Sequence, residues 1–497
     1  MSSVLDPVRR HSVAMPEALA VRDERGDWTY GDLLAGATAF GAGLHRQGVK
    51  PGSRLVFIAP SVPEFVVAYL GIQAAGCVVV PMNTMASRSE IRYVLEDSTA
   101  AALIGWHDVG PAARQAADEA GVPFQVLNSM TPGSAQAGEL TFEIQERARD
   151  DTAAILYTSG TTGRPKGAEL TVDALLEAGE ISVEARRTSP HDRFATALPL
   201  FHIFGQVTVM MAALSAGASM SLQSPFEPVR MLQMIYRDRA TVVAGVPTMW
   251  NALLRAADGF GPSDFSSVSI AISGGASLPA EVASAFEERF GCPVLEGYGL
   301  TETTSLATFA DLDRRPKNGC AGAPVPRTEV EIRAADGTAL PRDEVGEVWV
   351  RGPSVMKGYW RRPDATAEAL RDGWFRTGDL ARKDAESDVW IVDRLKDLII
   401  RGGYNVYPGE VEEVLYGHPD VVEAAVVGVP DDYYGEEVAA VIVLRDGAKL
   451  AGEQITAWAR ERMSAYKIPR IVRFVPELPK GATGKVLKRS IDPVKLG

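Results

Sequence analysis

The sequence is poor in the residues that build disulfide frameworks and transition-metal sites. Its 497 residues include three cysteines and six histidines. Cys77, Cys292 and Cys320 lie far apart, and none of them stands in a CxxC or Cys/His metal spacing. A disulfide scaffold and a zinc centre are therefore excluded as the basis of the fold, and we expect small buried thiols in a reducing cytoplasm.

An excess of positive charge is also missing. The chain carries 51 lysines and arginines against 64 aspartates and glutamates, which gives a formal net charge of −13. This balance opposes non-specific attraction to nucleic acid or to an anionic membrane surface. We therefore expect small-molecule substrates and no nucleic-acid partner, and a polyanionic ligand would need a locally basic site.

No hydrophobic run has the uninterrupted character of a membrane-spanning helix. The longest apolar stretch, residues 65–82, contains Gly71 and Gly76 and closes on Pro81, which favours a buried helix followed by a buried strand. The first residues, MSSVLDPVRRHS, lack the basic and then apolar pattern of a secretory signal. We expect a cytoplasmic protein without a membrane span.

The composition and the order of patterns predict an α/β protein of two domains. Apolar residues make up 46% and charged residues 23% of the chain, a balance typical of folded soluble proteins. Helical and strand patterns alternate from Thr29 onward. Beyond Asp393 charges and glycines become dense, and a smaller α+β pattern follows. We expect a large N-terminal domain of stacked αβ subdomains over residues 1–395 and a small α+β C-terminal domain over residues 396–497.

The individual elements follow from hydrophobic periodicity. In the large domain we expect helices at 33–45 and 64–75 and strands at 54–58, 77–80, 153–157, 194–198, 241–246, 268–273 and 294–296. In the small domain we expect helices at 409–416 and 453–463 and strands at 423–429, 438–444 and 471–475.

A segment rich in glycine and hydroxyl side chains follows the predicted strand 153–157. It reads YTSGTTGRPKG over residues 157–167. Small residues leave backbone N–H groups free to converge on phosphate oxygens, and the lysine adds a mobile positive charge. The segment is not a Walker A motif, because the Gly-Lys-Ser/Thr ending is missing. The residues expected to bind phosphate are Thr158, Ser159, Gly160, Thr161, Thr162, Gly163 and Lys166.

Further segments follow in a fixed order along the chain. They are LPLFHIFG (198–205), SGGA (273–276), EGYGLTE (296–302), TGD (377–379), DRLKD (393–397) and PKGATGK (479–485). Together with the phosphate segment they resemble the acyl-adenylate-forming superfamily, which includes acyl-CoA synthetases, coumarate:CoA ligases, firefly luciferase and the adenylation domains of peptide synthetases. The resemblance spans nearly the whole chain and points to the bacterial fatty-acid:CoA ligases. It implies ATP, Mg²⁺ and CoA.

The resemblance also implies where the nucleotide lies. Tyr298 would stack on adenine, Thr301 would contact the α-phosphate, and Glu302 would hold Mg²⁺, which prefers oxygen ligands. Asp379 and Arg394 would bind the ribose hydroxyls. The other residues implied in ATP or AMP binding are Gly274, Gly275, Ala276, Glu296, Gly297 and Gly299.

The same resemblance places His202 beside the carboxyl group of the acid. A single histidine after a strand is more often a structural residue, but its place in the ordered set of segments favours the functional role. Members that activate amino acids carry an aspartate in this region, so an amino acid substrate is disfavoured. The expected lining of the acyl pocket is His202, Ile203, Phe204, Val207, Gly274 and Gly299.

The identity of the acid depends on the shape of that pocket. Family members restricted to acetate carry a tryptophan at the position of Gly299, so the missing side chain predicts an open tunnel and a medium- or long-chain fatty acid. The same glycines also fit a cinnamate-type ring. No cation suited to a second carboxylate stands among the pocket residues, which disfavours a dicarboxylic acid.

The implied mechanism uses two lysines of the predicted C-terminal domain. Lys485 would offset the repulsion between the attacking carboxylate and the α-phosphate, with Thr158, Lys166, His202 and Glu302 as the other catalytic residues. Lys396 would be the hinge about which a mobile small domain turns. The turn would bring a loop towards the CoA channel, and its residues are Arg401, Gly402 and Gly403.

Other readings stay open at this point. CoA is the simplest acceptor because no carrier domain follows Lys485, and a separate carrier protein is the alternative. A non-catalytic nucleotide-binding protein has no physical need for Lys166, Glu302 and Lys485 together, and a luciferase-like oxygenase would consume oxygen. The sequence also leaves a homodimer open.

Overall fold

The computed structural model describes residues 2–133, 142–158, 164–481 and 486–492. The α-helices are α1 (Asp6–Ala14), α2 (Tyr30–Arg46), α3 (Pro63–Ala74), α4 (Arg88–Asp97), α5 (Pro111–Ala120), α6 (Val172–Arg186), α7 (Ala212–Ala216), α8 (Pro228–Arg237), α9 (Pro247–Arg255), α10 (Ala280–Phe290), α11 (Pro363–Ala369), α12 (Pro408–Tyr416) and α13 (Gly452–Arg460). A π-helix spans Phe204–Met211, and 3₁₀-helices span Thr301–Thr303 and Lys488–Ser490.

The strands alternate with these helices over most of the chain. They are β1 (Leu19–Asp23), β2 (Gly26–Thr29), β3 (Arg54–Ile58), β4 (Val78–Met82), β5 (Ala102–Trp106), β6 (Phe124–Leu127), β7 (Thr152–Thr158), β8 (Lys166–Thr171), β9 (Arg193–Thr196), β10 (Ser219–Leu222), β11 (Val242–Gly245), β12 (Ile270–Ser273), β13 (Val294–Tyr298), β14 (Thr308–Phe309), β15 (Ala323–Pro324), β16 (Glu329–Arg333), β17 (Gly346–Arg351), β18 (Gly358–Tyr359), β19 (Leu370–Arg371), β20 (Trp374–Lys383), β21 (Val389–Arg394), β22 (Ile399–Arg401), β23 (Tyr404–Val406), β24 (Val421–Asp431), β25 (Gly435–Leu444) and β26 (Ile471–Phe474).

Two mainly parallel sheets form the body of the N-terminal part. The first sheet runs in the order β18-β8-β7-β4-β3-β5-β6, and the second in the order β15-β14-β13-β12-β11-β9-β10-β1-β2. Neighbours such as β3 and β4, or β11 and β12, run parallel, as strands joined by crossover helices do. The predicted α/β class with stacked αβ subdomains is confirmed.

The longest apolar stretch of the sequence lies inside this body. It forms α3 and β4, and every residue of both elements is buried. The predicted buried helix and buried strand are therefore confirmed. Across the described ranges, no helix combines the length and the apolar character that crossing a membrane requires.

An antiparallel sheet follows, which the sequence patterns did not predict. It runs in the order β16-β17-β20-β19, and β21 pairs with β20. Turns join β19 to β20 and β20 to β21, whereas β18 and α11 lie between β17 and β19, so the regular alternation of strand and helix seen in the parallel sheets is lost here. The pairing of β20 with β21 sets Asp379 opposite Arg394.

The C-terminal part has its own small sheet and core. The sheet runs in the order β23-β22-β25-β24, with β26 beside β25, and α12 packs against β24. Each helix and strand predicted for this region is present, with bounds that differ by a few residues. Lys396 lies in the turn between β21 and β22. The division at residues 395 and 396 stays a prediction.

The sequence motifs cluster where parallel strands end. β7 ends at Thr158, β12 ends at Ser273, and β13 ends at Tyr298. In open α/β sheets, ligands bind in the crevice outside the carboxyl ends of the strands. The fold therefore places Thr158 at the carboxyl end of a strand of the first sheet, and the glycine pair at 274–275 and the segment at 296–302 at the carboxyl ends of strands of the second.

The π-helix at Phe204–Met211 is buried along its whole length and packs against α6. Arg186, the last residue of α6, donates from Nη1 to the carbonyl oxygen of Thr208 at 2.8 Å and from Nε to that of Ser182 at 2.9 Å. Burial lowers the pKa of Arg186 to about 9. Wide helical turns of this type are frequent at functional sites. A buried guanidinium group therefore binds the backbone of the π-helix through the carbonyl oxygen of Thr208.

The chain after β13 packs backbone against backbone. A Cβ atom added at Gly299 would lie 1.5 Å from the carbonyl oxygen of Ser305. Thr304 and Ser305 themselves adopt positive φ angles of 48° and 90°, a region that non-glycine residues occupy rarely. Gly299 is therefore required by this close approach.

We expect Gly299→Ala to lower the free energy of unfolding by about 3 kcal/mol, because the added methyl group must displace the Ser305 backbone. The matched control is Gly26→Ala, since a Cβ there meets no atom within 4 Å. The control should stay within about 0.5 kcal/mol of the unsubstituted protein. Denaturant unfolding followed by tryptophan fluorescence measures both, and equal stability of the two variants would contradict the packing described here.

Candidate functional site

A buried carboxylate, Glu302, joins three segments of the chain. Its Oε1 accepts hydrogen bonds from Thr158 Oγ1 at 3.2 Å and from Tyr359 Oη at 3.0 Å. Thr158 ends β7 of the first sheet, whereas Glu302 follows β13 of the second. Lys166 Nζ lies 5.1 Å from the centre of the Tyr359 ring, within cation–π distance. Of the predicted catalytic residues, Thr158 thus contacts Glu302 directly, and Lys166 lies beside the tyrosine that binds the same carboxylate.

The atoms around Glu302 suit a hard divalent cation. A carboxylate and a hydroxyl group supply oxygen ligands, which Mg²⁺ prefers. In the described part of the chain, no group of three or more His, Cys, Asp or Glu side chains is placed to hold a metal ion. Mg²⁺ in nucleotide-binding proteins commonly takes one or two carboxylates and completes its shell with phosphates and water. The residues present therefore fit a nucleotide-bound magnesium ion.

The residues predicted for adenine and ribose also lie together. Tyr298 Oη donates to Asp379 Oδ2 at 2.8 Å, and Arg394 Nε lies 3.3 Å from Asp379 Oδ1. Burial raises the pKa of Tyr298, and the charge of Asp379 raises it further. The hydroxyl group therefore remains protonated and continues to donate. The chain Tyr298–Asp379–Arg394 forms one wall of the candidate nucleotide site.

The carboxylate of Glu296 is engaged by the backbone, and the predicted role of Glu296 in nucleotide binding stays a prediction. Its carboxylate accepts hydrogen bonds from the backbone N–H of Leu278 at 3.1 Å and of Gly319 at 2.9 Å. Burial raises the pKa of Glu296 to about 7. The side chain is thus engaged by two loops, and it shapes the wall that continues from Ala276.

The predicted acyl pocket is apolar around Phe204. Ile203, Phe204 and Val207 are buried, and a Cβ added at Gly274 would lie 3.2 Å from Phe204 Cζ. His202 Nδ1 accepts a hydrogen bond from the backbone N–H of Phe204 at 3.3 Å. In the neutral imidazole the proton is then on Nε2, which suits donation to a carboxylate oxygen.

Two buried hydroxyl groups lie on the same side of the π-helix as Phe204. Thr208 Oγ1 and Ser305 Oγ are 2.7 Å apart, and both residues are buried. Phe204 and Thr208 are four residues apart, so they share one face of a wide-turn helix. One hydroxyl proton serves the bond between the two groups, and the other remains able to donate. A buried pair of hydroxyl groups therefore lies at the helix that carries Phe204.

The surroundings of Gly299 differ from the predicted tunnel. The space that a side chain would occupy is filled by the backbone of Ser305 and Leu306. The geometry therefore gives no support to an acyl chain that passes Gly299, and a tryptophan could not be placed there without moving the backbone. At Gly274 the ring of Phe204 borders the position that a side chain would occupy.

The predicted hinge residue, Lys396, lies close to Arg394, the residue predicted to bind the ribose. Burial lowers the pKa of Lys396, and the charges of Arg394 and Arg489 lower it further. Lys488 Nζ lies 2.7 Å from Glu412 Oε1. Burial alone would lower the pKa of Lys488, but the charges of Glu412 and Asp393 raise it. The described residues that follow Lys485 thus pack near Glu412 and Asp393.

The predicted CoA loop lies in the C-terminal sheet. Arg401 forms a bidentate pair with Glu437 at 2.6 and 2.8 Å. Gly402 and Gly403 have φ angles of 57° and 83° and connect β22 to β23. The Gly402 N–H donates to the carbonyl oxygen of Tyr434 at 2.8 Å. Their role towards CoA stays a prediction.

Several predicted residues lie outside the described ranges. They are Ser159, Gly160, Thr161, Thr162, Gly163 and Lys485. The flanks of Lys485 are described, and Lys480 and Val486 form an antiparallel bridge. Thr301 lies in the 3₁₀-helix beside Glu302, and Gly275 and Gly297 lie at the strand ends near Gly274.

Sequence reasoning missed Tyr359, Thr208, Ser305 and Arg186. Tyr359 follows a glycine in an ordinary strand pattern, so nothing marked its hydroxyl as a partner of Glu302. The signal for Thr208 was weak, since it is one of two polar residues in the buried run FGQVTVMM at 204–211. Arg186 ends an amphipathic helix, where a solvated arginine is the ordinary expectation.

Comparison with known proteins agrees with this site. The family described as AMP-binding enzyme matches residues 8–360, and the family described as AMP-binding enzyme C-terminal domain matches residues 410–485. The matches cover both mainly parallel sheets and strands β24, β25 and β26 of the small C-terminal sheet. The expectation of an acyl-adenylate-forming enzyme is confirmed.

Relatives with established names are similar over nearly the whole chain. A feruloyl-CoA synthase from Amycolatopsis sp is 39% identical, covering 98% of this chain and 97% of that one. A long-chain-fatty-acid–CoA ligase from Bacillus subtilis is 34% identical, covering 96% and 91%. The crystal structure of ATP-bound MatB from Rhodopseudomonas palustris superposes with a TM-score of 0.92 at 34% identity, covering 98% of both chains. The chain therefore belongs to the AMP-binding enzyme family and is an AMP-forming acid:CoA ligase.

Proposed function

We propose that this ligase activates a carboxylic acid with an oxygenated aromatic ring, of the hydroxycinnamate type, and transfers it to CoA. The observation that carries the choice of acid is the buried hydroxyl pair of Thr208 and Ser305, 2.7 Å apart. A ring hydroxyl or methoxy group can use the remaining hydrogen-bonding capacity of the pair, whereas an alkyl tail would leave it unused. Phe204 on the same face offers an aromatic contact to the ring. The identity to the feruloyl-CoA synthase supports this choice.

In the first step an oxygen of the substrate carboxylate attacks the α-phosphorus of ATP, and pyrophosphate leaves. His202 donates from Nε2 and orients the carboxylate, while Lys166 lies by the departing phosphates. Lys485 supplies the positive charge where two anions approach each other. The product is the acyl adenylate, a mixed anhydride with a good leaving group.

In the second step the CoA sulfur attacks the acyl carbon, AMP leaves, and the thiol proton passes to solvent. We propose that the C-terminal domain turns about Lys396 between the steps, which withdraws Lys485 and presents the Arg401–Gly403 loop. The Lys488 and Asp393 charges that face each other in this arrangement would separate in the turn, since Asp393 precedes the hinge.

Glu302 and Thr158 would hold Mg²⁺, whose charge supplies electrostatic stabilisation of the phosphates when it is bound. The Tyr359 hydroxyl fixes the Glu302 carboxylate at Oε1. The magnesium ion, the cytoplasmic location and a homodimer stay predictions.

A medium- or long-chain fatty acid is the second candidate, because Ile203, Phe204 and Val207 form a buried apolar wall. The identity to the long-chain-fatty-acid–CoA ligase supports it. Each buried methylene would add about 0.8 kcal/mol, roughly a fourfold gain in affinity, so activity would climb with chain length. Acid-dependent AMP release with acetate to palmitate, cinnamate, 4-coumarate and ferulate separates the two candidates. Omitting CoA from the same assay separates CoA from a carrier protein as acceptor.

We expect Thr208→Val to lower kcat/KM for 4-coumarate and ferulate about tenfold, because the isosteric change removes one hydrogen-bonding group worth about 1.4 kcal/mol. Unsubstituted cinnamate should be converted as before, since its ring has no group to bond. The proposal fails if the variant loses both activities in parallel, or if octanoate and palmitate are the preferred acids of the unsubstituted enzyme.

Lys485→Ala should lose most of the adenylation rate and keep most of the thioester formation from supplied acyl adenylate. The reason is that only the first step brings a carboxylate up to an anionic phosphate. Pyrophosphate exchange measures the first step, and CoA thioester formation measures the second. Equal losses in both steps, in a variant with an unchanged melting temperature, would contradict the assignment of Lys485.

Lys396→Pro should have the opposite effect, because a fixed φ hinders the turn about residue 396. Pyrophosphate exchange should persist while overall CoA ligation falls by an order of magnitude or more. The control is Lys396→Ala, which removes the charge and leaves the backbone free to turn. If the proline variant ligates CoA at the rate of the alanine variant, residue 396 is not the pivot.

A further inference from the structure

A buried carboxylate, Glu347, lies in β17 beside the strand that carries Asp379. Glu347 is 8% exposed, and both of its oxygens accept hydrogen bonds. Oε2 accepts from Arg376 Nε at 3.1 Å and Nη2 at 2.9 Å, and from Trp349 Nε1 at 3.2 Å. Oε1 accepts from the backbone N–H of Gly378 at 3.2 Å. The mechanism proposed above gives this carboxylate no part.

The backbone N–H that binds Glu347 belongs to a bulge in β20. In the antiparallel pairing of β17 with β20, Trp349 lies opposite Arg376 and Glu347 lies opposite Leu380. One residue of β17 therefore faces the three residues 377–379 of β20, and the ladder cannot pair all of their backbone groups. Bulges are frequent next to active sites, where they re-aim a side chain.

Side chains supply the hydrogen bonds that the ladder leaves unmade in this bulge. Glu347 accepts the bond from the Gly378 N–H. Thr377 Oγ1 accepts from the Asp379 N–H at 3.0 Å and donates to the carbonyl oxygen of Val348 at 2.8 Å. Gly378 has a φ angle of 71°, which glycine adopts at little cost. Because an unpaired buried backbone group is costly, these side chains stabilise one course of the bulge.

The bulge ends at Asp379, the residue predicted to bind the ribose. Its Oδ2 accepts from Tyr298 Oη, and its Oδ1 lies beside Arg394 Nε. Asp379 follows Gly378 directly, so the bond to Glu347 fixes the main chain from which the Asp379 side chain departs. Hydrogen bonds weaken steeply when their distances and angles depart from the ideal. A shift of this main chain would therefore weaken the bonds that Asp379 makes.

We propose that Glu347 is a positioning residue for ribose recognition, because it fixes the bulge that aims the Asp379 carboxylate at the ribose hydroxyls of ATP. The inference rests on the proposed function, since it takes ATP as the substrate and Asp379 as its ribose ligand. Glu347 acts through the Gly378 N–H. Its loss weakens the contribution of the ribose hydroxyls and leaves the binding of the other parts of the nucleotide unchanged.

The test variant is Glu347→Gln, which keeps the volume of the side chain and removes its charge. The new NH₂ group must face one of the N–H donors that the carboxylate accepted. The charged Arg376 retains the remaining oxygen, since hydrogen bonds to charged groups are the stronger ones. The Gly378 N–H then loses its acceptor.

The matched control is Glu64→Gln. Glu64 is 1% exposed, accepts from Arg25 Nη1 at 3.0 Å and Nη2 at 2.6 Å, and accepts from the backbone N–H of Met130 at 3.1 Å. It therefore shares with Glu347 the burial, the arginine partner and the bond from a backbone N–H. Glu64 lies in α3, whereas the bulge lies in β20.

Titration calorimetry on the full chain, without acid, gives the Kd for ATP and for 2′,3′-dideoxy-ATP, which lacks both ribose hydroxyls. We expect Glu347→Gln to raise the Kd for ATP about tenfold, because the ribose loses a charge-assisted hydrogen bond. The Kd for the dideoxy nucleotide should stay unchanged. Glu64→Gln should leave both Kd values unchanged, although it lowers the melting temperature by a similar amount.

Thr377→Val is a second variant, because it removes the hydroxyl group that accepts from the Asp379 N–H, and it should show the same selective loss. Equal losses for both nucleotides in Glu347→Gln, a preference for ATP that survives in both variants, or the same selective loss in Glu64→Gln would overturn the proposal. Asp379→Asn tests the ribose ligand itself. If that variant keeps the full preference for ATP, the failure lies with the role proposed for Asp379.

Discussion

The hydrogen bonds to Glu302 are the interaction on which the site depends. A carboxylate buried without partners is costly, so its oxygen must be satisfied wherever the fold places it. Here Thr158 from the first sheet and Tyr359 from β18 supply the donors, while the backbone N–H of Met356 donates to the Glu302 carbonyl oxygen at 2.8 Å. The ends of both sheets are thereby fixed to one residue.

Other features of the site follow from that arrangement. The chain leaves Glu302 through Thr304 and Ser305, whose φ angles are positive. This course returns the backbone of Ser305 to Gly299 and sets its hydroxyl group against Thr208. The nucleotide end and the acid end thus share one short stretch of chain, and a change in the position of Glu302 would be felt at both.

Most helices and strands of the parallel sheets and of the small domain could be predicted from the sequence, because their apolar residues recur with the regular spacing of helices or strands. Residues 54–58 and 423–429 have the apolar pattern of strands, and the glycine-rich segment after β7 stands out by its composition. Ordered motifs then placed Thr158, Glu302 and Asp379 at one site. The antiparallel sheet from β16 to β21 was not predicted, since its strands do not alternate regularly with helices.

The contacts of single side chains were beyond sequence reasoning for a different reason. A glycine in a motif indicates that a side chain is excluded, but it does not say whether ligand or backbone takes the space. At Gly299 the answer is the Ser305 backbone, and at Gly274 it is the ring of Phe204. Likewise the Glu296 carboxylate looks available for a ligand in the sequence, whereas two backbone N–H groups engage it in the fold.

The π-helix supported by Arg186 has a consequence for how such an enzyme can change in evolution. The Thr208 carbonyl is held from behind by a guanidinium, while the Phe204 ring and the Thr208 hydroxyl meet Gly274 and Ser305 on the other side. If this face contacts the acid, as proposed above, substitutions on it alter which acid is accepted without moving the backbone that carries them. The bonds from Glu302 to Thr158 and Tyr359 involve none of these side chains. A lineage can therefore exchange its acid one side chain at a time while the adenylating apparatus is inherited intact.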